Sequence, residues 1–398
     1  MKILICNAGS TSLKYKLFLM DQEEDVVVSG GAERVGTEKS VFYHEDCHSG
    51  KKSRWEVPLP THREAISTML DCLLKSCISS LDEISCVGFK VVHAKHVTGV
   101  QYLTEDVIHA IEEFNSVAPA HNPPYIAAIR QFQSLMPGTP LIGSFETAFH
   151  AKMPPEAYLY SIPADVSKKY AIRRYGFHGA SHEYLSNWTA RTMGREDLRL
   201  ISCHLGGSGS IAAVKNGISI DTSLGMSLQC GVMHNNRIGD IDPYIIFYLV
   251  EECGMTLSEV KKILQTKSGL YGMSGGLSND LRDIEGAAAA GNEEAANAMK
   301  AYSYSIRKYI GAYMAAMGGL DAIVFGGGIG RNSDTVRYMA LDGLEKFGIA
   351  LDPEKNANAV GGMDISMEGS HVRIYVVDTN EELIVARKAM GLLQSEEC

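Results

Sequence analysis

The hydrophobic pattern of the first twenty residues predicts two strands joined by a short turn. An apolar run over 3–6 meets the small, polar stretch NAGSTS, and a second β-like stretch follows over 13–18. Such a turn can hold an anion, because successive backbone N–H groups form a nest and nearby hydroxyl and lysine side chains add charge-assisted bonds. An ordinary hairpin turn has the same composition, so the pattern alone leaves both interpretations open.

The same pattern returns about two hundred residues later. LRLISCHLGGSGSIAAVKNGISIDTS predicts a strand over 200–204, a Gly/Ser turn, a strand over 211–214, an Asn216-Gly217 hairpin turn and a third strand. A third Gly-rich turn, in DAIVFGGGIGRNSDTVRYM, follows a strand over 322–325 and leads into a helix. Together these features predict two related α/β halves around a cleft, whose glycine turns close on one polyphosphate.

Helical periodicity is clearest before the third turn. Apolar residues at 299, 302, 306, 309, 310, 313 and 317 follow the i, i+3, i+4, i+7 spacing, and Gly318-Gly319 predicts the helix end. The stretch EGAAAAGNEEAANA predicts one helix end, a turn and the next helix start.

Composition and charge narrow the class of protein. The 398 residues, 45% of them hydrophobic, suffice for two domains with their own cores. A net charge of −10 argues against nucleic acid or an anionic membrane as partner, and no apolar run approaches the ~20 residues of a membrane helix. Nine cysteines without a C-x-x-C pair, and no signal-peptide pattern, predict reduced thiols in a soluble, cytoplasmic protein.

Two familiar nucleotide motifs are missing from the sequence. There is no G-x-x-x-x-G-K-[ST], and Arg331 occupies the position of the last glycine of a dinucleotide motif. His178 and His182 have the spacing of zinc ligands on a helix, but Gly176 and Gly179 argue against a helix there and no third ligand pattern recurs. We therefore favour polar cleft residues over a zinc site.

Ten motifs occur in the order and at the spacing of the acetate kinase family, within the actin and sugar kinase superfamily. They are NAGSTSLKYKLF, VVHAKHVTG, APAHNPP, FETAFH, RYGFHGASH, HLGGSGSIAAVKNGISIDTS, RIGDIDP, SNDLRDIE, FGGGIGRN and TNEELIVAR. The resemblance covers essentially the whole chain. It implies an α/β fold of two domains with duplicated actin-like, ribonuclease H-like βββαβαβα cores around a nucleotide cleft. The implied N-terminal domain is 1–147 plus 384–398, and the implied C-terminal, nucleotide-binding domain is 148–383.

The resemblance also implies an activity and its residues. A homodimer would transfer the γ-phosphoryl group of ATP, reversibly, to a short carboxylic acid and form an acyl phosphate. Glu146, His178 and Arg237 match catalytic residues, and Asn7 and Glu381 match residues that hold Mg²⁺ or Mn²⁺. The matched acceptor-site residues are Lys90, Val92, Ala120, His121, Phe177 and Leu228. The matched nucleotide-site residues are Ser10, Ser12, Lys14, His204, Gly206, Gly207, Gly209, Asp280, Leu281, Arg282, Gly326, Gly327, Gly328, Ile329, Gly330 and Asn332.

The implied residues suit phosphoryl transfer. That reaction depends on positioning and on cancelling charge at the phosphoryl oxygens, which cationic and hydrogen-bonding groups can do. Magnesium needs few protein carboxylates, because it retains waters and takes oxygens from the nucleotide.

Several positions depart from the family pattern beside the reacting groups. Lys90 stands where the family has arginine, which loses the planar fork that grips a carboxylate, and Glu146 stands where it has aspartate. Gly207 replaces an asparagine of the second Gly turn, HNN at 234–236 replaces M-G-T, and Leu281 stands where an aromatic residue is common.

Two further departures concern the acceptor. Ala120 stands where the family has leucine, and Leu228 replaces a proline, so the pocket for the alkyl tail is expected to be larger. Propionate, butyrate or a branched acid is then preferred over acetate, unless Leu228 fills the space. Two alternatives to a carboxylate kinase stay open: a paralogue that binds nucleotide as a sensor or interaction module, and a kinase for another acceptor.

Overall fold

The computed structural model describes residues 1–21, 23–119 and 121–396, and its internal contacts separate the chain into two units. Unit 1 comprises the described residues within 1–148 and 380–398, and unit 2 comprises residues 149–379. Unit 1 is therefore built from two distant stretches of the chain, and unit 2 from the stretch between them.

The strands are β1 (Lys2–Gly9), β2 (Ser12–Leu19), β3 (Asp25–Glu33), β4 (Val41–Asp46), β5 (Lys51–Glu56), β6 (Ile84–Val91), β7 (Val100–Tyr102), β8 (Leu141–Phe145), β9 (Arg199–Leu205), β10 (Gly209–Lys215), β11 (Ile218–Thr222), β12 (Ala322–Gly326), β13 (Met363–Asp364) and β14 (Arg373–Val376). The helices are α1 (His62–Ser76), α2 (Glu105–Glu113), α3 (Asn122–Leu135), α4 (Pro155–Tyr158), α5 (Ala164–Tyr170), α6 (Gly179–Met193), α7 (Tyr244–Glu251), α8 (Leu257–Thr266), α9 (Gly269–Met273), α10 (Leu281–Ala289), α11 (Glu293–Met317), α12 (Gly327–Asn332), α13 (Asp334–Leu341), α14 (Pro353–Ala357) and α15 (Glu381–Glu396).

Unit 1 is an eight-stranded sheet with helices on it. Its strand order is β5-β4-β3-β2-β1-β6-β8-β7, in which β1 to β5 pair antiparallel and β1, β6 and β8 pair parallel. Strand β1 is buried on both faces over 3–6, as expected of a strand covered on both sides. Helix α15 packs Val385, Ala386 and Ala389 against Ile3 and Ile5 of this strand.

Unit 2 repeats the same arrangement. Its order is β11-β10-β9-β12-β14-β13, so β11-β10-β9 are antiparallel neighbours and β9, β12 and β14 are parallel neighbours. The order β3-β2-β1-β6-β8 of unit 1 is the same pattern. The predicted duplicated α/β fold is therefore confirmed.

Local predictions can be compared element by element. Both predicted β-turn-β hairpins form, and the third Gly turn leads from β12 into α12 as predicted. Helix α11 contains the predicted apolar face and ends at Gly318, whose φ of 70° is the left-handed cap conformation that glycine favours. The argument against a helix at His178 was wrong, because α6 begins at Gly179 and includes His182. Among the described residues, no helix combines the length and the apolar character needed to cross a bilayer.

Candidate active site

The first hairpin turn is shorter than the sequence suggests. Gly9 pairs with Ser12, so only Ser10 and Thr11 lie outside the ladder, and Asn7 on β1 faces Lys14 on β2. The α1 residue His62 holds the turn, since its Nε2 lies 2.8 Å from the carbonyl oxygen of Gly9. A carbonyl oxygen that is already hydrogen-bonded repels an anion less, so His62 favours an anion at this turn. No sequence motif indicated that contribution.

Asn7 is positioned by Tyr125 of α3. The Tyr125 hydroxyl donates a hydrogen bond to Oδ1 of Asn7. Tyr125 is buried, and burial raises the pKa of its hydroxyl, which therefore keeps its proton and acts as the donor. The bond fixes which atom of the Asn7 amide is oxygen, and sequence reasoning missed it.

Lys90, Glu146 and Glu381 form one charged cluster in unit 1, which we call the Lys90 cluster. The Lys90 Nζ lies 2.6 Å from Oε2 of Glu381 and 3.4 Å from Oε1 of Glu146. The Glu146 side chain is 4% exposed, and within the described residues neither of its oxygens has a hydrogen-bond partner. Lys90 and Glu146 depart from the family pattern, and Glu381 matches it. The fold brings the three residues together at the ends of β6 and β8 and the start of α15.

Burial and charge act against each other in this cluster. Burial lowers the pKa of Lys90, but the Glu146 and Glu381 carboxylates outweigh it and hold that pKa well above its usual value. Burial raises the pKa of Glu146, and the Lys90 ammonium partly opposes the rise. The ammonium thus favours the ionised form of the buried Glu146 carboxylate, against the effect of burial.

The donor set of the Lys90 cluster fits a hard divalent cation. Carboxylate and amide oxygens are the ligands magnesium takes, and Glu146 offers buried oxygens without hydrogen bonds. Lys90 already neutralises part of this charge, so a metal would share the carboxylates with it. In the described part of the chain, no three His, Cys, Asp or Glu side chains form a group able to hold a metal by themselves.

The other predicted acceptor-site residues of unit 1 are next to element ends in the sequence. Val92 is buried directly after β6, and His121 is half-buried at the residue preceding α3. Ala120 lies outside the described residues.

In unit 2 the Gly/Ser turn after β9 and the Gly turn after β12 lie side by side. A Cβ added to Gly206 would stand 3.8 Å from the backbone nitrogen of Gly328, and one on Gly327 would stand 2.6 Å from the carbonyl oxygen of Leu205. Gly327 also has a φ of 74°. Only glycine suits that position, so the close packing of the two turns, each with one exposed glycine at 207 or 328, depends on it.

The segment that departs from the family at 234–236 supports the second turn. His234 Nδ1 accepts a hydrogen bond of 3.0 Å from the Gly209 N–H, and burial lowers the pKa of His234 to about 3. The Asn235 N–H donates to the carbonyl oxygen of Gly207 over 3.1 Å. The Asn235 amide donates in turn to the carbonyl oxygen of Asn279, over 2.6 Å. Neighbouring backbone thus stabilises the turn that lacks the family's asparagine.

The predicted nucleotide-site residues 280–282 occupy the start of α10. Asp280 caps the helix by accepting from the Arg282 N–H over 3.0 Å, and the Arg282 side chain pairs with the same carboxylate. Leu281 is buried beneath them. The helix cap is enough to explain why Asp280 stands at this position. The exposed Arg282 guanidinium, in contrast, can contact a nucleotide. The turn after β12 is braced by Asn332, whose amide donates to the carbonyl oxygen of Gly328 over 2.8 Å.

His178 has an unusual backbone conformation at the start of α6. Its φ of 57° is left-handed, which a non-glycine residue adopts at a cost, and its ring lies 4.4 Å from that of His204. Its Nδ1 lies 2.8 Å from the hydroxyl of Ser210. Phe177, the preceding residue, is fully buried. A rigid, half-buried imidazole results.

Arg237 is the second predicted catalytic residue in this unit. Its Nη1 donates to the carbonyl oxygen of Leu228 over 3.0 Å, which also fixes the position of that buried acceptor-site residue. Burial lowers the pKa of Arg237, but a guanidinium starts so high that it stays charged. The unit therefore presents a fixed cation and a fixed imidazole.

Two units that share one strand order, each with a Gly-containing hairpin turn, are typical of kinases with the actin-like fold. The sequence matches the model of the Acetokinase family over residues 2–387. The acetate kinase of Natranaerobius thermophilus is 44% identical over 399 aligned positions, and the alignment covers 99% of this chain and 100% of that one.

Solved structures agree with this match. The crystal structure of Porphyromonas gingivalis acetate kinase is 40% identical, with a TM-score of 0.89 and coverage of 98% of this chain and 99% of that one. A propionate kinase from Francisella tularensis is 33% identical, with a TM-score of 0.89 and coverage of 97% and 98%. The chain belongs to the acetokinase family and is an enzyme of the acetate kinase type, which confirms the predicted family and enzyme class.

Proposed function

We propose that this enzyme transfers the γ-phosphoryl group of ATP, reversibly, to a short-chain carboxylic acid and forms an acyl phosphate. Magnesium or manganese accompanies the nucleotide, held by Asn7, Glu146 and Glu381 of unit 1. The two Gly turns of unit 2 bind the phosphates, and Arg237 and His178 stabilise the charge of the transferring group. We extend the proposal to a reduced, cytoplasmic setting, which the eight free cysteines of the described residues support.

One observation carries the proposal against the sensor alternative. Lys90 and Glu146 both depart from the family pattern, and they are each other's partners, 3.4 Å apart. A shorter base facing a longer acid keeps the ion pair. The paired change keeps an acid and a base together in unit 1, which a working site needs and which also preserves the stability of the buried pair.

The acceptor is acetate or a slightly larger acid. A lysine holds a carboxylate without the bidentate fork of arginine, so burial of the alkyl tail contributes a larger share of binding. Each buried methylene adds about 0.8 kcal/mol, close to fourfold in affinity. The resemblance to a propionate kinase is consistent with a larger acid.

The activity is tested by trapping acyl phosphate as hydroxamate with ATP and a panel of acids, beside a calorimetric titration with ATP. Product with acetate, propionate or butyrate is expected. Tight ATP binding with no product from any acid would favour the sensor. Ala120→Leu should shift kcat/KM back toward acetate; acetate preferred in both proteins would exclude an enlarged pocket.

Arg237 provides the sharpest test of the phosphoryl site. Arg237→Ala removes a preorganised charge, so turnover should fall about a hundredfold or more. Arg237→Lys should restore only part, because the fork is lost. Full activity in the alanine variant would place the reaction elsewhere.

We also propose a homodimer, in which a second copy covers α7. This helix has no buried residue, and its large apolar side chains are exposed: Tyr244 by 75%, Tyr248 by 61% and Phe247 by 52%. A monomer gains nothing from such a face. Phe247→Glu should give a monomer by light scattering, and a dimer that persists would refute this interface.

A further inference from the structure

A row of serine and histidine side chains leads through the interior of unit 2 to His178. The Ser202 Oγ lies 2.8 Å from Nδ1 of His182, and Nε2 of His182 lies 2.7 Å from Oγ of Ser210. The same Ser210 Oγ lies 2.8 Å from Nδ1 of His178. Ser202, His182 and Ser210 are all fully buried. We call these four residues the Ser–His row.

The hydroxyl of Ser202 sets the direction of the first hydrogen bond. A hydroxyl has one hydrogen, and a buried hydrogen without an acceptor is costly. Within the described residues, Nδ1 of His182 is the partner that the Ser202 hydroxyl has. Ser202 therefore donates, and Nδ1 of His182 accepts and carries no hydrogen.

The direction then passes along the row. Burial lowers the pKa of His182 well below its usual value, so the ring is neutral and its single hydrogen is on Nε2. That Nε2–H donates to Ser210, and the Ser210 hydrogen must point to Nδ1 of His178. If every bond ran the other way, the buried hydrogen of Ser202 would have no acceptor.

We propose that Ser202, His182 and Ser210 are positioning residues that hold His178 as the neutral tautomer with its hydrogen on Nε2. His178 then donates a hydrogen bond to the transferring phosphoryl group without carrying a charge, and Arg237 supplies the cation. The role toward the phosphoryl group rests on the proposed function, whereas the tautomer does not. No proton is transferred in this step.

The proposal has a consequence for pH dependence. An imidazolium donor loses its proton near pH 6.5, so a cationic His178 predicts a fall in turnover as pH rises from 6 to 8. A donor that acts in its neutral form does not depend on that second proton. Turnover at saturating substrates should therefore not fall over that range.

The tautomer can be read directly by long-range ¹H–¹⁵N correlation spectra of protein labelled at the histidine nitrogens. The chain has 13 histidines, and His178→Gln assigns the relevant signals by their loss. Ser202→Ala removes the group that sets the direction, and two residues of the row separate it from His178. Ser219→Ala is the matched control, because it removes another fully buried hydroxyl, 2.7 Å from Nδ1 of His150, outside the row.

The wild-type spectrum should show His178 with hydrogen on Nε2, in an excess of roughly fivefold to a hundredfold that reflects the unpaired hydroxyl of the reverse arrangement. Ser202→Ala should bring the two His178 tautomers toward equal amounts, Ser202→Thr should restore the excess, and Ser219→Ala should leave it unchanged. Hydrogen on Nδ1 in the wild type, or an unchanged ratio in Ser202→Ala, overturns the proposal.

The two levels of inference fail separately. The spectra need no phosphoryl transfer, so the expected tautomer in a protein that forms no hydroxamate would refute the proposed function and leave the Ser–His row standing. Hydroxamate formation with the wrong tautomer would do the reverse. A fall in turnover from pH 6 to 8 with the expected tautomer would overturn the role of the neutral donor.

Discussion

Replacement of Lys90 by methionine should destabilise unit 1 more than the same replacement of a lysine in an exposed ion pair. Lys90→Met keeps most of the side-chain length and removes the ammonium that most strongly opposes the rise in the Glu146 pKa, while the Glu381 carboxylate, which raises that pKa, stays in place. The Lys90 side chain is 23% exposed and that of Glu146 only 4%, so solvent replaces little of the lost interaction.

The structure gives the magnitude and a control. Removing one partner of a buried ion pair costs about 3–5 kcal/mol, because a buried charge is left uncompensated. We expect about 3 kcal/mol, the lower end, since Glu146 can take up a proton. Lys16→Met is matched in chemistry: Lys16 pairs with Glu382, the next residue of α15, at 3.3 Å, but both side chains are about a third exposed. Its loss should cost at most about 1 kcal/mol.

Fluorescence can isolate unit 1 for this measurement. The two tryptophans are Trp55 in unit 1, packed 5.1 Å from Phe42, and Trp188 in unit 2. In a Trp188→Phe background, urea titrations therefore follow unit 1 alone. The free energy of unfolding is compared at pH 7 between Lys90→Met, Lys16→Met and the parent.

The effect of pH on the stability deficit of Lys90→Met has a predicted direction. Burial raises the pKa of Glu146, and removal of Lys90 raises it further. A carboxyl whose pKa is higher in the folded state favours folding at pH values below that pKa. The deficit of Lys90→Met should therefore shrink as pH falls from 7 to 5. Equal losses in the two methionine variants, or a deficit that grows on acidification, would refute the argument that Lys90 neutralises buried carboxylates.

Two further predictions concern unit 2. Gly327→Ala should destabilise unit 2 by about 2 kcal/mol and weaken ATP binding, because the Gly327 φ is 74° and the new Cβ would meet the Leu205 carbonyl oxygen at 2.6 Å. Gly328→Ala is the control, because there is open space around its added Cβ. Equal ATP affinities of the two variants in calorimetric titrations would contradict this prediction. The second prediction concerns two buried histidines. Burial lowers the pKa of His182 well below normal and that of His234 to about 3. The unfolded chain therefore binds more protons than the folded chain below pH 6.5, and the free energy of unfolding must decrease as the pH is lowered. Between pH 6.5 and 5 His234 should cost about 2 kcal/mol in urea titrations followed by Trp188, with a further loss from His182, and stability that is constant or rises on acidification would refute it.

The sequence predicts the parts of the fold that depend on local chemistry. Alternating apolar runs around Gly-containing turns are enough to place β1, β2, β9 and β10, and the apolar face of α11 with Gly318 behind it is enough to place that helix and its end. The duplication is visible for the same reason, because it repeats a local pattern.

Contacts across sequence distance could not be predicted in this way. Lys90 meets Glu381, 291 positions further along the chain, only because β6 and α15 are neighbours in the folded unit. Ser202 and Ser210 look like ordinary strand residues, and nothing local indicates that their hydroxyls flank His182. The helix at His182 was missed because glycine was treated as a helix breaker, although Gly179 is tolerated as the first helical residue.

The position of α15 has a consequence for the order of events during synthesis. Its side chains cover β1, and its Glu381 and Arg387 complete ion pairs with Lys90 and Glu24 of the first hundred residues. At 5–20 residues per second, a ribosome makes α15 on the order of twenty to seventy seconds after β1. During that interval the apolar side chains of β1 that α15 covers have no such cover, so removal of α15 should be more damaging than its exposed last turn suggests.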